Sequence, residues 1–250
     1  MSSEKTRAIV LRVIEFSETS CVVWLFTEDF GKVNALAKGA RRPKSAFEGA
    51  LDLLALIRIV FLRKSSDALD LLTEARLERR FRSAQRELSR LYAGYYVAEL
   101  LAELTDAGDP HPPLFRAADE ALVAIDEGEP LAETILRFEL AALREAGHLP
   151  SLSQCVQCGR EVTTTKGRIA FGMTAGGVLC PDCRPGRRQV ISVSGLVIER
   201  LQRAAEDDHK EHVQIEPALR GELRAIMNNY FAHLVGHKLR IPDLLGGLSH

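Results

Sequence analysis

The sequence lacks the short motifs that mark most nucleotide-using and acyl-transferring enzymes. It has no G-x-x-x-x-G-K-[ST] phosphate loop, no G-x-G-x-x-G turn and no G-x-S-x-G nucleophile elbow. It also has no cluster of carboxylates that would suggest a two-metal nuclease. These absences favour a binding protein, and the chain is predicted not to be an enzyme.

Long apolar runs are missing as well. No stretch approaches the about 18 uncharged apolar residues that a membrane span needs, so no membrane association is expected. Charges are scattered through the N-terminal segment, which therefore does not resemble a secretory signal. The protein is predicted to be cytoplasmic.

The composition has no overall basic character, since the net charge is −1. The charges are nevertheless unevenly distributed. Residues 1–82 hold 15 Lys and Arg against 11 Asp and Glu, whereas the remainder holds 18 against 23. With 250 residues, of which 46% are hydrophobic, the chain is long enough for two domains. The basic N-terminal part and the acidic C-terminal part of the chain indicate that the two parts have different partners.

The densest positive charge lies within residues 28–49. No acidic residue falls between Lys32 and Phe47, and Gly39 and Pro43 bracket an arginine pair, which predicts a loop. A basic strand leading into a basic loop is a plausible track for phosphates. The alternative is an ordinary solvated surface loop. The candidate DNA-binding residues are Lys32, Lys38, Arg41, Arg42 and Lys44.

The first 80 or so residues read as five short strands with turns between them. Two strands occupy residues 6–27, a third runs from Lys32 to Lys38 after a turn at Gly31, and two more cover 53–63 and 69–74. A short helix is expected around residues 46–50. This layout matches an OB-type barrel, which binds oligonucleotides on strands 2 and 3 and on neighbouring loops. Cys21, on the second strand, is predicted to lie in the core. Trp24, on the same strand, is also predicted to lie in the core because its neighbours are apolar, with a base-stacking platform as the alternative.

After Arg82 the apolar period changes to that of helices. Three helices are predicted between residues 88 and 147, a fourth begins after Ser194, and a fifth covers 219–234. The predicted fold class is α+β: an N-terminal OB-fold barrel over residues 1–80 and a helical domain over residues 81–250. A zinc-ribbon insertion is predicted within the helical domain, at about residues 150–188.

The insertion is predicted from two C-x-x-C pairs, which together offer four thiolates, the usual ligand set of a structural zinc. The segment between the pairs reads as a hairpin, with strands at residues 168–171 and 178–179. An iron centre and a redox dithiol are the alternatives to zinc. The candidate ligands of one structural Zn²⁺ per chain are Cys155, Cys158, Cys180 and Cys183.

Four segments together resemble the bacterial RecO recombination-mediator family. They are R-A-I-V-L-R near the N-terminus, the T-E-D-F-G-K turn, the A-K-G-A-R-R-P-K-S stretch and the two late C-x-x-C pairs. The similarity extends over essentially the whole chain. It implies an N-terminal OB-fold, a central helical bundle and a zinc-binding element packed against that bundle.

The resemblance also implies a function. Members of the RecO family bind single- and double-stranded DNA, anneal complementary strands, and act with RecR and with the single-stranded DNA-binding protein (SSB). They help RecA to replace SSB on DNA, and a bacterial, nucleoid-associated location follows. A zinc-ribbon nucleic-acid enzyme or a transcription accessory factor is the alternative function.

Overall fold

The computed structural model describes residues 2–47, 49–64, 68–83, 87–163, 167–206 and 214–242. The chain divides into two compact units: residues 1–129, called the barrel unit, and residues 130–250, called the ribbon unit. The domain boundary predicted near residue 80 separates strands from helices, and it stays a prediction.

The barrel unit begins with five strands that close on themselves. They are β1 (Ser2–Glu15), β2 (Cys21–Thr27), β3 (Gly31–Ala37), β4 (Leu56–Arg63) and β5 (Asp70–Arg79). Their order is β1-β2-β3-β5-β4, and β4 pairs with β1 to close the barrel. All pairs are antiparallel except β3 with β5. The predicted OB-type barrel is confirmed.

Strand β1 pairs with β4 over residues 2–9 and with β2 over residues 8–15. Its register with β2 shifts between Val10 and Arg12, and such a bulge bends the strand where it passes from one neighbour to the other. Alternate side chains fill the barrel; in β3 these are Val33, Ala35 and Ala37, as the period of two predicted. Cys21 is buried in the same core, which is also as predicted.

The segment between β3 and β4 differs from its prediction. Residues 46, 47, 49 and 50 lie in turns and not in a helix, and residue 48 lies outside the described residues. Strand β4 begins at Leu56, three residues later than predicted, because Leu54 adopts a left-handed backbone (φ 62°). The Leu54 amide donates to the Val10 carbonyl at 2.8 Å, which closes the end of the barrel at this point.

Two helices cover one part of the outer barrel surface, α1 (Leu88–Leu104) and α2 (Pro112–Glu127). The Phe115 ring of α2 packs 6.2 Å from that of Phe26, which points outward from β2. Asp119 on the same helix accepts hydrogen bonds from Arg7 and Arg79. The helices therefore cover the end of β2 that carries Phe26.

The ribbon unit contains three helices and a small sheet. The helices are α3 (Leu131–Glu145), α4 (Gly195–Glu206) and α5 (Pro217–Val235); the strands are β6 (Arg168–Gly172), β7 (Gly177–Leu179) and β8 (Val190–Ser194). Strands β6 and β7 form the predicted hairpin, and the five helices predicted after Arg82 are all present. Strand β8, which pairs with the other edge of β6, was not predicted.

The ribbon and the helices of this unit share one core. Phe171 of β6 packs edge-on against Tyr230 of α5, with ring centroids 5.7 Å apart. A buried ion pair joins α3 to α5: both carboxylate oxygens of Glu139 accept hydrogen bonds from Arg224, at 2.6 and 2.7 Å. Among the helices in the described part of the chain, none has the length and apolarity needed to span a bilayer.

Candidate nucleic-acid interface and metal centre

The basic loop, defined as residues 38–45, is held at its far end by apolar side chains. Phe47 and Ala50 lie in the barrel core, with exposures of 6% and 2%. The loop itself has almost no apolar content, so its side chains remain in solvent. The exposed cations are Lys38, Arg41, Arg42 and Lys44.

Two consecutive turns shape the basic loop. The Arg42 amide donates to the Gly39 carbonyl at 3.0 Å, and the Ser45 amide donates to the Arg42 carbonyl at 3.2 Å. Lys44 adopts a left-handed backbone (φ 59°), which is unfavourable for a non-glycine residue. The turns keep the four cations on a short exposed segment.

The basic loop is also fastened to the hairpin tip, defined as residues 16–20 between β1 and β2. The Gly39 amide donates to Ser20 Oγ at 3.2 Å, and the Arg41 amide donates to the Thr19 carbonyl at 3.0 Å. The Arg41 guanidinium reaches the Ser17 carbonyl at 3.3 Å and Glu15 Oε1 at 3.0 Å. The loop and the tip therefore form one surface.

Lys32 lies apart from the other four cations. Its side chain is partly buried, and its ammonium group donates to the Ala102 carbonyl of α1 at 2.6 Å. Ala102 is in the last turn of the helix, where carbonyls lack helical partners and a cation is favourable. Six residues of strand separate Lys32 from Lys38, a distance of roughly 20 Å. The structure therefore brings together four of the five predicted residues.

A cleft of about 430 Å³ opens beside the basic loop. Its lining includes the guanidinium groups of Arg41 and Arg42 and the carboxylates of Glu15 and Asp52. A phosphate in this cleft would therefore contact the two arginines in competition with these carboxylates, of which Glu15 already pairs with Arg41.

The prediction that Trp24 lies in the core is wrong. Trp24 is partly exposed on the outer face of β2, opposite Arg12, whose guanidinium carbon lies 5.2 Å from the centroid of the indole ring. Apolar residues occupy both faces of β2 because α2 covers part of its outer face. The period of two therefore could not identify which face pointed inward.

Sequence reasoning missed one exposed aromatic residue, Phe16, which follows β1 at the hairpin tip. Its exposure is 63%, the largest among the large apolar side chains in the described residues. The signal available in the sequence was an aromatic residue at the end of a strand, next to the polar run from Ser17 to Ser20.

The ribbon unit brings its four predicted cysteines together. Their sulfur atoms all lie within 4.8 Å of one another, and those of Cys158 and Cys180 are 3.8 Å apart. Each pair occupies a tight turn: the Gly159 amide donates to the Cys155 carbonyl at 2.8 Å, and the Cys183 amide to the Cys180 carbonyl at 3.1 Å. These turns position two sulfurs at a time on the same side of the backbone.

The cluster has the electrostatics of a cation site. Burial raises the pKa of the Cys155 thiol, but hydrogen bonds from backbone N–H groups, first that of Cys180, outweigh it and lower the pKa to about 6. Hydrogen bonds to the sulfurs of Cys180 and Cys158 raise the pKa of Cys183 to about 12. One thiolate thus forms readily, whereas the Cys183 thiol keeps its proton because it donates that proton to neighbouring sulfurs. A bound cation would deprotonate the thiols that coordinate it.

The donor set fits a tetrahedral metal ion. Four sulfurs at about 2.3 Å from a zinc ion are about 3.8 Å apart in a regular tetrahedron, and the Cys158–Cys180 separation has this value. The apolar side chains of Leu179 and Val156 pack against the cluster. The four cysteines can therefore hold a metal ion.

The fold and these two sites define an α+β protein of the OB-barrel class that also carries a four-cysteine ribbon. Family models identify it further. Residues 1–81 match the family model described as "Recombination protein O N terminal", and residues 85–241 match "Recombination protein O C terminal". The chain belongs to the RecO family of DNA repair proteins.

Individual relatives agree with this assignment. The chain is 40% identical to the DNA repair protein RecO of Rhodopirellula baltica, over 96% of this chain and 100% of that protein. It is 32% identical to the DNA repair protein RecO of Anaeromyxobacter dehalogenans strain 2CP-1, over 99% of both chains. For the protein of the same name from Myxococcus xanthus, the identity is 31% over 95% of both chains.

Proposed function

We propose that the chain is a recombination mediator that binds single- and double-stranded DNA through the basic loop and anneals complementary strands. The observation that supports this most is the exposed group of Lys38, Arg41, Arg42 and Lys44 on the loop that follows β3 of an OB-type barrel. Arginine suits the role because its planar group can hold two phosphate oxygens, whereas lysine acts as a mobile point charge.

Lys32 is assigned a smaller part in DNA binding. To contact a phosphate it would have to give up the Ala102 carbonyl at the end of α1. Its main role in this proposal is to fasten the helix to the barrel, and DNA reaches it only when the strand extends along β3.

We also propose that Cys155, Cys158, Cys180 and Cys183 hold one Zn²⁺ with a structural role. Four sulfur donors saturate a tetrahedral ion, so no position remains for a substrate or an activated water. When bound, the ion supplies a rigid link between the two cysteine turns.

The proposed partners are RecR, SSB and, indirectly, RecA. Their support is membership of the RecO family together with the separate basic and acidic parts of the sequence. In this proposal the chain and RecR together help RecA to load onto DNA coated with SSB, in the nucleoid of the bacterial cytoplasm.

Annealing tests this function directly. Two complementary oligonucleotides, one with a fluorophore and one with a quencher, should pair faster with the protein than without it, in a buffer without nucleotide or added Mg²⁺. Neutralised phosphates repel each other less, which allows the strands to meet. A change in strand length, in the presence of Mg²⁺ or nucleotide, would instead identify a zinc-ribbon nucleic-acid enzyme. If neither annealing nor DNA binding occurs, the proposed function is wrong.

A further inference from the structure

The hairpin tip exposes an aromatic ring that the barrel does not use. Phe16 is 63% exposed, and Val13 and Ile14, which precede it, are each 36% exposed. A single exposed apolar side chain is common on protein surfaces. Phe16 is set apart by its place on the hairpin tip, which is hydrogen-bonded to the basic loop.

The position of Phe16 is fixed by its backbone. The Phe16 amide donates to the Ser20 carbonyl at 3.0 Å, and the Ser17 amide donates to the same oxygen at 3.1 Å. These bonds close the turn that follows β1. The ring is therefore presented by a closed hairpin.

A cation contacts the residues on either side of Phe16. The Arg41 guanidinium lies 3.0 Å from Glu15 Oε1 and 3.3 Å from the Ser17 carbonyl. The hairpin tip that carries the exposed aromatic residue is therefore fastened to the basic loop that carries the exposed cations. Single-stranded nucleic acid has the complementary pair of groups, since each nucleotide has a flat base and a phosphate.

We propose that Phe16 stacks on an unpaired base of single-stranded DNA whose phosphates lie on the basic loop. This inference rests on the proposed function and adds to it a means of preferring single strands. In a duplex the faces of the bases are stacked on each other, so only a single strand offers a base to the ring.

Affinity measurements on two oligomers test the role of Phe16. One is an oligothymidylate of about 20 nucleotides, longer than the roughly 4–16 nucleotides that one OB barrel covers. The other has the same length and charge but consists of abasic sites. Phe16→Ala should weaken binding of the first about 5- to 100-fold, with little change for the second. Phe16→Trp should restore binding, since it provides a similar platform.

The salt dependence separates stacking from charge. Phe16→Ala should leave the slope of log K against log salt unchanged, because the variant removes no charge. Leu88→Ala is the matched control: Leu88 is 61% exposed in the same unit, and its removal should not affect DNA binding. The ratio of single-strand to duplex affinity should fall in Phe16→Ala and remain constant in Leu88→Ala.

Three results would overturn the stacking role. The first is a Phe16→Ala variant that binds oligothymidylate as tightly as the wild type. The second is an equal loss on both oligomers with a flatter salt slope, which would mean that Phe16 only supports Arg41. The third is intact DNA binding with a lost protein contact, which would make the tip a protein interface. Failure of the proposed function looks different, since DNA binding would then be insensitive to Arg41 and Arg42.

Discussion

Replacing Cys180 by serine is expected to remove the bound metal and to destabilise the ribbon unit. Serine preserves the size of the side chain but is a poor ligand for zinc, so three thiolates would remain. In small zinc domains the metal contributes roughly 10–16 kcal/mol of apparent binding free energy, and this is free energy of folding. Because the ribbon unit also has its own helical core, we expect it to become loosened and protease-sensitive while the barrel unit stays folded.

The measurement is elemental analysis of freshly purified protein, combined with limited proteolysis. Wild type should contain one zinc per chain, and Cys180→Ser should contain little. Cys21→Ser is the matched control, because it is the same substitution at a cysteine that lies in the barrel core, outside the cluster. Wild-type protein without stoichiometric metal, or a Cys180→Ser variant that retains it, would contradict the proposed metal site.

Replacing Glu139 by leucine is expected to destabilise the protein by about 3–5 kcal/mol, the usual cost of removing one partner of a buried ion pair. The Glu139 side chain has no exposed surface, and that of Arg224 is 11% exposed. The variant would leave a buried guanidinium group without its carboxylate. Since a typical protein is stable by only about 5–15 kcal/mol, the loss should be large in a urea titration.

A second replacement distinguishes the ion pair from simple packing. The double variant Glu139→Leu/Arg224→Met removes both charges and should recover most of the lost stability, since apolar residues often replace a buried pair at little cost. Glu199→Leu is the control: Glu199 pairs with Arg203 on the surface of α4, and such pairs contribute below about 1 kcal/mol. If Glu139→Leu cost no more than Glu199→Leu, the buried pair would not be a main source of stability.

The sequence predicted best those elements that are set by local patterns. The alternation of residues in β3 predicted which face is buried. Gly31 predicted the turn before β3, because glycine readily adopts the positive φ (65°) that the structure has there. The two C-x-x-C pairs predicted a four-sulfur cluster because each turn orients two thiolates. These features depend on a few neighbouring residues, which is why one sequence was enough.

Features that depend on packing between elements were not predictable in this way. The Lys32 ammonium group bonds to Ala102, which is 70 positions away in the sequence. Trp24 appeared to be a core residue because β2 is apolar on both faces. The outer face is apolar because α2 packs on part of it, and the sequence does not give the position of that helix. Phe16 could not be singled out because the role proposed for it depends on the fold, which fastens the hairpin tip to the basic loop.

The binding of DNA by the basic loop is tested most directly by the salt dependence of affinity. If Lys38, Arg41, Arg42 and Lys44 each neutralise a phosphate of a single strand, the slope of log K against log salt should be about −3. Raising the salt from about 50 to 200 mM should then weaken binding roughly 50-fold. Glu15→Gln should strengthen binding, since Glu15 competes with phosphate for Arg41.

The decisive comparison uses two double variants on two oligonucleotides of unrelated sequence. Arg41→Ala/Arg42→Ala should flatten the slope by about 1.4 and weaken both oligonucleotides alike. Arg187→Ala/Arg188→Ala removes the same charges from an exposed arginine pair of the ribbon unit and should keep the wild-type slope. An Arg41→Ala/Arg42→Ala variant with an unchanged slope would contradict DNA binding at the basic loop.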